Sequence, residues 1–398
     1  MTSSYNIIVG TDTADEFIVG TSSNDSLVAL AGNDTVTGSG STDILVLGAG
    51  NDLVTSAGTY SGGSVLGGSG NDTFVSGNSS SGLQVDLGSD NDSLNLTSTG
   101  TFSSVTLAGG LNNDTIILAS GSTLLNSQLY GAAAAGGAAD ASDSISVSTV
   151  TGSLIQGNAG TDTINVSGKT TSSTIRGGKD ADYISVVGSV TGSYVAGDLG
   201  SDTVLITGDV QSGSSIFGGS LDDTTADSAD SISITGAVTG GFLQGNAGAD
   251  TINISTSIGN NTSVRGGRDA DSITIGTTTD TSYLSGDLGS DTIRLAGAVT
   301  NTSIFGGSLT DTTADSADSI YLHAAATNVF AQGNAGADTL HFNALVSQST
   351  VWGGADADSI HLEAGGTQVG IAGQAGNDTL SLKGSFTQAT VEGGAGVS

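Results

Sequence analysis

A spacing of about 20 residues between aspartates runs through this chain and restricts its fold more than any other feature. The ten residues GNAGTDTINV from Gly157 recur as GNAGADTINI from Gly245 and as GNAGADTLHF from Gly333, so the copies lie 88 residues apart. Between these copies, looser versions of the same pattern place an Asp before each alternating apolar run. A short unit repeated at a fixed period predicts a solenoid, in which every coil packs on its neighbours.

The aspartates that mark the period all precede an apolar run directly. They are Asp25, Asp34, Asp52, Asp72, Asp92, Asp114, Asp143, Asp162, Asp182, Asp202, Asp230, Asp250, Asp271, Asp291, Asp318, Asp338, Asp358 and Asp378. The first gap is 9 residues, most others are near 20, and from Asp114 onward every fourth gap is longer by seven to nine residues. Four periods therefore form a super-repeat of about 88 residues. We predict a single continuous solenoid, with N-terminal coils in residues 1–130 and three super-repeats in residues 131–398.

Each period contains two short alternating runs separated by turns. Residues 163–166 (TINV) place Ile164 and Val166 on one face, and residues 173–176 (STIR) follow after a Ser/Gly/Thr-rich turn. Period-two alternation of β-branched residues is typical of half-buried strands, and no helical period of useful length is present. Two strands and two turns in about 20 residues predict one coil of an all-β parallel β-helix or β-roll. The absence of proline fits, because proline would break the hydrogen-bonded ladder between coils.

The amino-acid composition limits which kinds of partner such a fold can bind. Only 4% of the residues are aromatic, so any core is thin and aliphatic, and the formal charge of -32 disfavours nucleic acid and anionic lipid as partners. The chain has no cysteine, which excludes disulfides and thiolate metal sites. No apolar run approaches the roughly 20 residues that span a bilayer. The excess of acid instead predicts a compensating cation.

Stacked coils place the marker aspartates in a column at the spacing of neighbouring strands. In many coils a second acid joins the column, at Asp180, Asp198, Asp269, Asp287 or Asp356. Two carboxylates about 5 Å apart repel by roughly 3 to 4 kcal/mol at an effective dielectric constant near 20. The few cations, among them Arg176, Lys179 and Arg265, cannot neutralise the column, whereas Ca²⁺ binds carboxylates and turn carbonyls and loses its water readily. We therefore expect these aspartates to bind several Ca²⁺ ions.

A simpler interpretation is that Asp and Asn only favour turns. That preference does not require a carboxylate in every coil, so it does not account for the whole pattern. The long loops GGSLDDTTADSADSI from Gly218 and GGSLTDTTADSADSI from Gly306 are either additional calcium sites or surface elaborations, and the sequence leaves both open.

The glycine-rich turns resemble a known family. GGSGNDTFV from Gly67, GAGNDLV from Gly48 and LAGNDTV from Leu30 are similar to the nonapeptide of the hemolysin-type (RTX) calcium-binding repeat family. The resemblance implies a calcium β-roll, export by a type I route without an N-terminal signal, and an extracellular or cell-surface location. The chain departs from the family pattern after Asp52, where alternate turns carry Ser, Thr or Gly, as in SGKTTSS from Ser167. We expect one calcium-lined edge and one uncharged edge.

Two further sets of residues suggest surface roles. His341 and His361 share a position three residues after the column Asp; a stacked pair could bind a transition metal, but the polar residues at this position in other coils favour a solvated ladder. A second row precedes each glycine turn and contains Tyr130, Phe217, Phe305 and Trp352 about every fourth coil. Aromatic residues on an outward face predict a strip for lateral self-association.

No catalytic constellation is evident, so we expect no enzymatic activity. Glu392 to Ser398 form a glycine turn without its Asp, and neither end of the chain shows a cap, which predicts head-to-tail contact between copies. The leading hypothesis is a secreted, calcium-dependent structural protein that self-assembles into a surface filament or sheath, resembling S-layer and oscillin-like surface fibril proteins. The alternative is a monomeric calcium-binding adhesion or secretion module with a carbohydrate- or surface-binding face.

Overall fold

The computed structural model describes residues 6–19, 24–37, 40, 42–56, 58–132, 140–220, 227–308 and 315–394. Every regular element in these residues is a β-strand, and all strand pairs in them are parallel. The fold is a parallel β-solenoid of about 18 coils. Contacts divide the chain into two compact units, one of Met1–Ser189 with Ser193–Val195 and the other of Val190–Gly192 with Ala196–Ser398. No helix of the described residues is long and apolar enough to cross a membrane.

The strands of the first unit are short, with two to seven residues each. In chain order they are β1 (Asn6–Val9), β2 (Glu16–Ile18), β3 (Asp25–Ala31), β4 (Thr35–Thr37), β5 (Ile44–Ala49), β6 (Leu53–Ser56), β7 (Ser64–Ser69), β8 (Thr73–Ser76), β9 (Gln84–Ser89), β10 (Ser93–Leu96), β11 (Thr101–Ser103), β12 (Thr106–Leu111), β13 (Thr115–Leu118), β14 (Thr123–Leu125), β15 (Gln128–Ala132), β16 (Ser144–Val147), β17 (Thr149–Thr151), β18 (Leu154–Ala159), β19 (Thr163–Val166), β20 (Thr170–Thr171), β21 (Thr174–Lys179) and β22 (Tyr183–Val186).

The second unit continues the same pattern. Its strands are β23 (Val190–Thr191), β24 (Tyr194–Leu199, whose first two residues belong to the first unit), β25 (Thr203–Ile206), β26 (Ser215–Gly219), β27 (Ser231–Ile234), β28 (Val238–Thr239), β29 (Phe242–Ala247), β30 (Thr251–Ile254), β31 (Ile258–Gly259), β32 (Ser263–Arg268), β33 (Ser272–Ile275), β34 (Thr279–Asp280), β35 (Tyr283–Leu288), β36 (Thr292–Leu295), β37 (Val299–Thr300), β38 (Ser303–Gly307), β39 (Ser319–Leu322), β40 (Ala326–Thr327), β41 (Phe330–Asn334), β42 (Thr339–Phe342), β43 (Val346–Ser347), β44 (Thr350–Ala355), β45 (Ser359–Leu362), β46 (Gly366–Thr367), β47 (Gly370–Ala375), β48 (Thr379–Leu382), β49 (Phe386–Thr387) and β50 (Thr390–Glu392).

A typical coil of the first unit contains β19, β20 and β21, and each strand pairs with the equivalent strand one coil away. In β19 and β22, Ile164 is opposite Ile184, and in β18 and β21, Gln156 is opposite Arg176. The register step is therefore 20 residues, as the spacing of the aspartates predicts. Two strands per coil were expected, but most coils have a third, which is only two or three residues long. It forms because an inward residue such as Val190 or Val238 is buried between the two longer strands.

The core is a narrow aliphatic column, as the composition predicts. Ile164 and Val166 are fully buried, and the residues between and beside them, Thr163 and Asn165, are half-buried on the outer face. Alternate residues of the paired strands therefore point inward in every coil, which fixes the register against a one-residue slip. The first unit adds Tyr60 and Phe74, whose ring centroids lie 6.1 Å apart.

The boundary that we expect between residues 130 and 131 marks the start of the 88-residue super-repeats and not a change of fold. The two compact units instead divide near residue 190, inside the first super-repeat. The assignment of residues 1–130 and 131–398 to separate parts of the solenoid therefore remains a prediction. The long loops of the second and third super-repeats have residues 221–226 and 309–314 outside the described residues.

A candidate calcium-binding edge

One edge of the solenoid carries a ladder of aspartates joined by hydrogen bonds. From Asp34 to Asp182 and again from Asp202 to Asp378, the Oδ1 atom of one Asp accepts the backbone N–H of the Asp one coil earlier, at 2.6 to 3.0 Å. This acidic ladder contains Asp34, Asp52, Asp72, Asp92, Asp114, Asp143, Asp162, Asp182, Asp202, Asp230, Asp250, Asp271, Asp291, Asp318, Asp338, Asp358 and Asp378. Asp15, which the sequence pattern did not reveal, donates its N–H to Asp34 at 2.7 Å. Within each compact unit, the structure thus places the marker aspartates in a column, with the exception of Asp25.

The second carboxyl oxygen has a different environment. In most members of the acidic ladder, Oδ2 is buried and accepts no hydrogen bond. This holds for Asp34, Asp52, Asp72, Asp92, Asp114, Asp143, Asp162, Asp230, Asp250, Asp271, Asp291, Asp318, Asp338, Asp358 and Asp378. Except for Asp378, these residues are at most 4% exposed. Leaving a buried acceptor without a hydrogen-bond partner costs about 1 to 3 kcal/mol of folding free energy, and more when the acceptor is charged. This number of unpartnered oxygens therefore requires a ligand.

The opposite edge performs the same capping with neutral side chains. The N–H of Ser153 donates to Oγ of Ser173 at 3.2 Å, and the N–H of Ser173 donates to Oγ of Ser193 at 3.1 Å. Each hydroxyl can also donate, and Ser173 does so to the carbonyl of Thr171 at 2.7 Å. The uncharged edge that the sequence predicts is therefore present. It shows that a hydroxyl suffices to cap a coil, so the extra charged oxygen of the acidic ladder has another role.

Asp25 was assigned to the same column as Asp34, and this assignment is wrong. Asp25 begins β3 on the opposite edge, where its N–H donates to Oδ1 of Asp43 at 3.0 Å. Asp43 also accepts the N–H of Gly40 at 2.8 Å, so both of its oxygens are used. The gap of 9 residues between Asp25 and Asp34 is half a coil, which moves the side chain to the other edge. Asp25 and Asp43 come before the coils in which a serine accepts the equivalent backbone N–H.

The surroundings of Oδ2 supply oxygen ligands only. A Cβ atom on Gly157 would lie 2.2 Å from Oδ2 of Asp162 and 2.6 Å from the carbonyl oxygen of Gly177 in the next coil. The glycine is therefore needed to admit both oxygens to one small space, and Gly333 repeats the arrangement with Asp338 and Gly353. Carboxylate and carbonyl oxygens are the donors that Ca²⁺ prefers. No three Asp, Glu, His or Cys side chains group around a point in the described residues, so carbonyl oxygens or water would complete a coordination sphere here.

Burial makes these carboxyls difficult to ionise without a cation. It raises the pKa of Asp143, Asp230, Asp271 and Asp318 to about 9, and that of Asp92 and Asp338 to about 8. The backbone hydrogen bond opposes this rise in each case, and the neighbouring aspartates add to it. For Asp72, Asp114, Asp162, Asp250, Asp291 and Asp358 the same balance gives a pKa of about 7. A divalent cation would reverse the balance by favouring the ionised form.

The second acids do not form one further column. Asp180, Asp269 and Asp356 lie two residues before the acidic ladder, and Asp198 and Asp287 lie four residues before it, all with positive φ of 72 to 80°. Asp tolerates this left-handed conformation better than most residues, which gives these acids a turn-forming role. Asp180 accepts the N–H of Gly160 at 3.3 Å, and Oδ1 of Asp287 accepts the hydroxyl of Ser285 at 2.6 Å. Their participation in calcium binding stays a prediction.

The structure adds acids that the sequence reasoning missed. Asp140, Asp227 and Asp315 each lie three residues before a ladder Asp in the coil that follows a long loop. Asp227 accepts the N–H of Gly200 at 3.2 Å and that of Ser220 at 3.3 Å, so it reaches across two coils. After burial, Asp140 contributes to the raised pKa of Asp162. The recurrence of Ala-Asp-Ser-Ala-Asp at residues 226–230 and 314–318 was a visible signal for these positions.

The histidine pair forms part of a solvated outer ladder. His341 and His361 are opposite each other in β42 and β45, with ring centroids 5.5 Å apart. His341 lies 3.6 Å from the carboxylate of Glu363, which also binds Lys383 at 2.7 Å. No third metal-ligating side chain completes a site here among the described residues. The favoured interpretation, a ladder on the outer face, agrees with this geometry.

The prediction of an exposed aromatic strip is wrong for three of its four aromatic members. Tyr130, Phe217 and Phe305 are 9%, 3% and 6% exposed, and only Trp352 is half-buried. The rings are covered because larger residues of adjacent coils pack beside them: Phe217 lies 5.5 Å from Phe242. Three of the four aromatic rings are therefore covered, and the row cannot serve as a continuous aromatic lateral contact.

The match to a family model supports the calcium interpretation. The family model of the RTX calcium-binding nonapeptide repeat matches in four copies, at residues 19–54 and 349–369. A search of the curated proteins finds no significant match. Among solved structures, the chain is similar to a hyperactive, Ca²⁺-dependent, β-helical antifreeze protein from an Antarctic bacterium, with 20% identity over 74% of this chain and 83% of the other and a TM-score of 0.41. The chain is thus a parallel β-solenoid that carries RTX calcium-binding nonapeptide repeats.

Proposed function

We propose that this chain is an extracellular, non-catalytic structural protein whose solenoid is completed by Ca²⁺ along the acidic ladder, and whose copies assemble end to end into a surface filament or sheath. The observation that carries the proposal is the contrast between the two edges. Serine caps the coils on one edge, whereas the other edge uses buried carboxylates with a spare oxygen. Calcium would bind these oxygens and the glycine carbonyls that face them, and would supply the charge that allows the ladder to ionise.

The matched substitutions Asp250→Asn and Ser173→Ala test this assignment. Asn keeps an acceptor for the N–H of Asp230 but replaces the unpartnered Oδ2 by an amide donor. We expect Asp250→Asn to raise the calcium concentration needed for folding several-fold, and to stabilise the calcium-free protein at pH 8 by about 1 to 3 kcal/mol. Circular dichroism during calcium and urea titrations measures both quantities.

Ser173→Ala is the control on the uncharged edge. It removes the acceptor for the N–H of Ser153 and should lower stability by about 1 kcal/mol with and without calcium alike. If Asp250→Asn behaved in the same way, destabilising the chain equally in both conditions, the ladder would only cap coils and the calcium assignment would be wrong.

Strands with exposed apolar side chains support the proposal of end-to-end assembly. In the described residues, β1 pairs only with β3, and its Ile7 and Val9 are 78% and 62% exposed. β50 pairs only with β47, and its Val391 is 46% exposed. Unpaired strand edges of this kind template pairing with another chain, and a contact between two different surfaces propagates when it does not close a ring.

Electron microscopy of negatively stained protein tests the assembly. We expect filaments in calcium, and their loss in the variant Ile7→Lys/Val9→Lys, because a charge at each exposed position opposes the contact. The circular dichroism spectrum should not change, since both side chains already face solvent. Monodisperse particles of the unmodified protein with and without calcium would instead favour a monomeric adhesion or secretion module.

A further inference from the structure

One outer face of the third super-repeat differs from the same face of the first two. Where the first two copies carry large or charged side chains, the third carries small or neutral ones. Lys179 and Arg268 correspond to Ala355, Leu199 and Leu288 to Ala375, Asp198 and Asp287 to Gln374, and Tyr194 and Tyr283 to Gly370. The substitutions are neighbours in the fold, because β44 and β47 are paired and Ala355 is opposite Ala375.

A cleft lies on the surface where these replacements cluster. It has a volume of about 530 Å³, and Gln332, Asn334, Asp356 and Gln374 line it together with the small residues Ala355 and Ala375. The side chains of Gln332 and Gln374 are half-buried, and Asp356 is exposed. Gln332 and Asn334 are shared by all three copies as Gln156 and Asn158, and as Gln244 and Asn246. Gln156, Gln244 and Gln332 are all half-buried, so the third copy differs in the residues around the glutamine and not in the exposure of the glutamine itself.

A tryptophan lies beside the cleft. Trp352 replaces Arg176 and Arg265 of the other copies, where Arg265 stacks on Tyr283 at 5.1 Å. Trp352 packs edge-on against Phe330, with ring centroids 5.1 Å apart at 80°. On its other side, Ala372 of the paired strand β47 is opposite Trp352, and Gly370 replaces the tyrosine of the other copies. Trp352, Ala372 and Gln374 border a second cleft, so the indole and the amides face a common surface.

The chemistry of this surface fits a neutral sugar. A flat indole offers an apolar face to the C–H groups of a pyranose ring, and amides and carboxylates bind hydroxyls as donors and acceptors. Asp356 and the net charge of -32 oppose an anionic ligand. We propose that the third super-repeat binds a neutral oligosaccharide, with one ring stacked on Trp352 and hydroxyls bound by Gln332, Gln374 and Asp356. The site goes beyond the proposed structural function, and it requires no assembly of copies.

Tryptophan fluorescence provides a direct test, because Trp352 is the one tryptophan of the chain. The protein in calcium buffer is titrated separately with cellotetraose, maltotetraose and N-acetylated chitotetraose. We expect a saturable change in emission with at least one of these probes, with a dissociation constant of about 1 mM or lower, equivalent to roughly -4 kcal/mol or more favourable binding. The absence of a saturable change with all three would overturn the proposal.

The other super-repeats supply matched controls. The variant Ala355→Arg/Ala375→Leu restores the residues of the second copy, so the fold should accept it, and circular dichroism checks that it does. Filling the cleft should weaken binding at least tenfold, a change of about 1.4 kcal/mol. Gln332→Ala should also weaken binding, whereas Gln244→Ala, the same change in the second copy, should leave it unchanged. Equal affinity of the filled variant, or equal loss in both glutamine variants, would place the ligand elsewhere.

Discussion

Removal of calcium at pH 8 is expected to abolish the β-structure of the acidic edge and to unfold the solenoid cooperatively. Nearly all ladder carboxyls are at most 4% exposed, and most of them have an oxygen without a hydrogen-bond partner. When ionised, neighbours about 5 Å apart repel by roughly 3 kcal/mol at an effective dielectric constant of 20. Several such pairs exceed the roughly 5 to 15 kcal/mol by which a domain is normally stable. The metal-free, fully ionised state is therefore not sustainable.

The measurement is circular dichroism during titration with EGTA at pH 8, followed by addition of Ca²⁺ to restore the signal. Mg²⁺ at the same concentration is the control, and we expect little recovery, because Mg²⁺ retains its water and requires a stricter octahedral geometry. Retention of the full β-sheet signal in excess EGTA at pH 8 would contradict the role that we assign to the ladder.

Acid should partly replace calcium. The pKa values of twelve ladder carboxyls rise from 3.8 to about 7 to 9 in the folded chain, chiefly because of burial. The folded state therefore binds more protons than the unfolded state between about pH 4 and pH 9. Stability of the calcium-free fold is full below about pH 4 and falls as the pH rises through the folded pKa values, by up to about 1.4 kcal/mol per pH unit for each carboxyl. The calcium-free chain should thus be substantially folded at pH 5 and unfolded at pH 8.

Thermal melts in EGTA across this pH range test the second expectation. The melting temperature should fall steadily with increasing pH, and Asp250→Asn should reduce the slope because it removes one titrating group. In calcium the trend should reverse, since protons compete with the metal for the same oxygens. A calcium-free protein equally unfolded at pH 5 and pH 8 would show that burial of the carboxyls is not the obstacle to folding.

Much of the fold was predictable because the length of the repeat equals the length of one coil. The period of 20 residues gave the register step, and alternation at Ile164 and Val166 gave the buried face. The short third strand was not predicted, since two residues such as Thr170 and Thr171 carry too little alternation to identify a strand. Likewise, the burial of Phe217 depends on Phe242 in another coil, and a count along one coil does not reveal that contact.

The candidate site was predictable in type but not in assignment. A column of Asp residues follows from stacking alone, yet Asp25 satisfies the same local pattern and lies on the other edge. Local sequence does not distinguish the two edges, because both need a side-chain acceptor for a backbone N–H. The placement of Asp140, Asp227 and Asp315 depends on contacts between coils, which is a tertiary effect: Asp227, for example, accepts the N–H of Gly200.

The ladder hydrogen bonds all have the same direction along the chain, so each coil depends on the coil that follows it for an acceptor. The N–H of Asp230 is capped by Asp250 of the following coil, and that of Asp250 by Asp271. Deleting a following coil therefore leaves a buried N–H of the coil before it without an acceptor. Deleting a preceding coil only exposes a carboxylate oxygen to water. Growth or loss of coils should accordingly differ between the two directions, as in a polymer whose ends are chemically distinct.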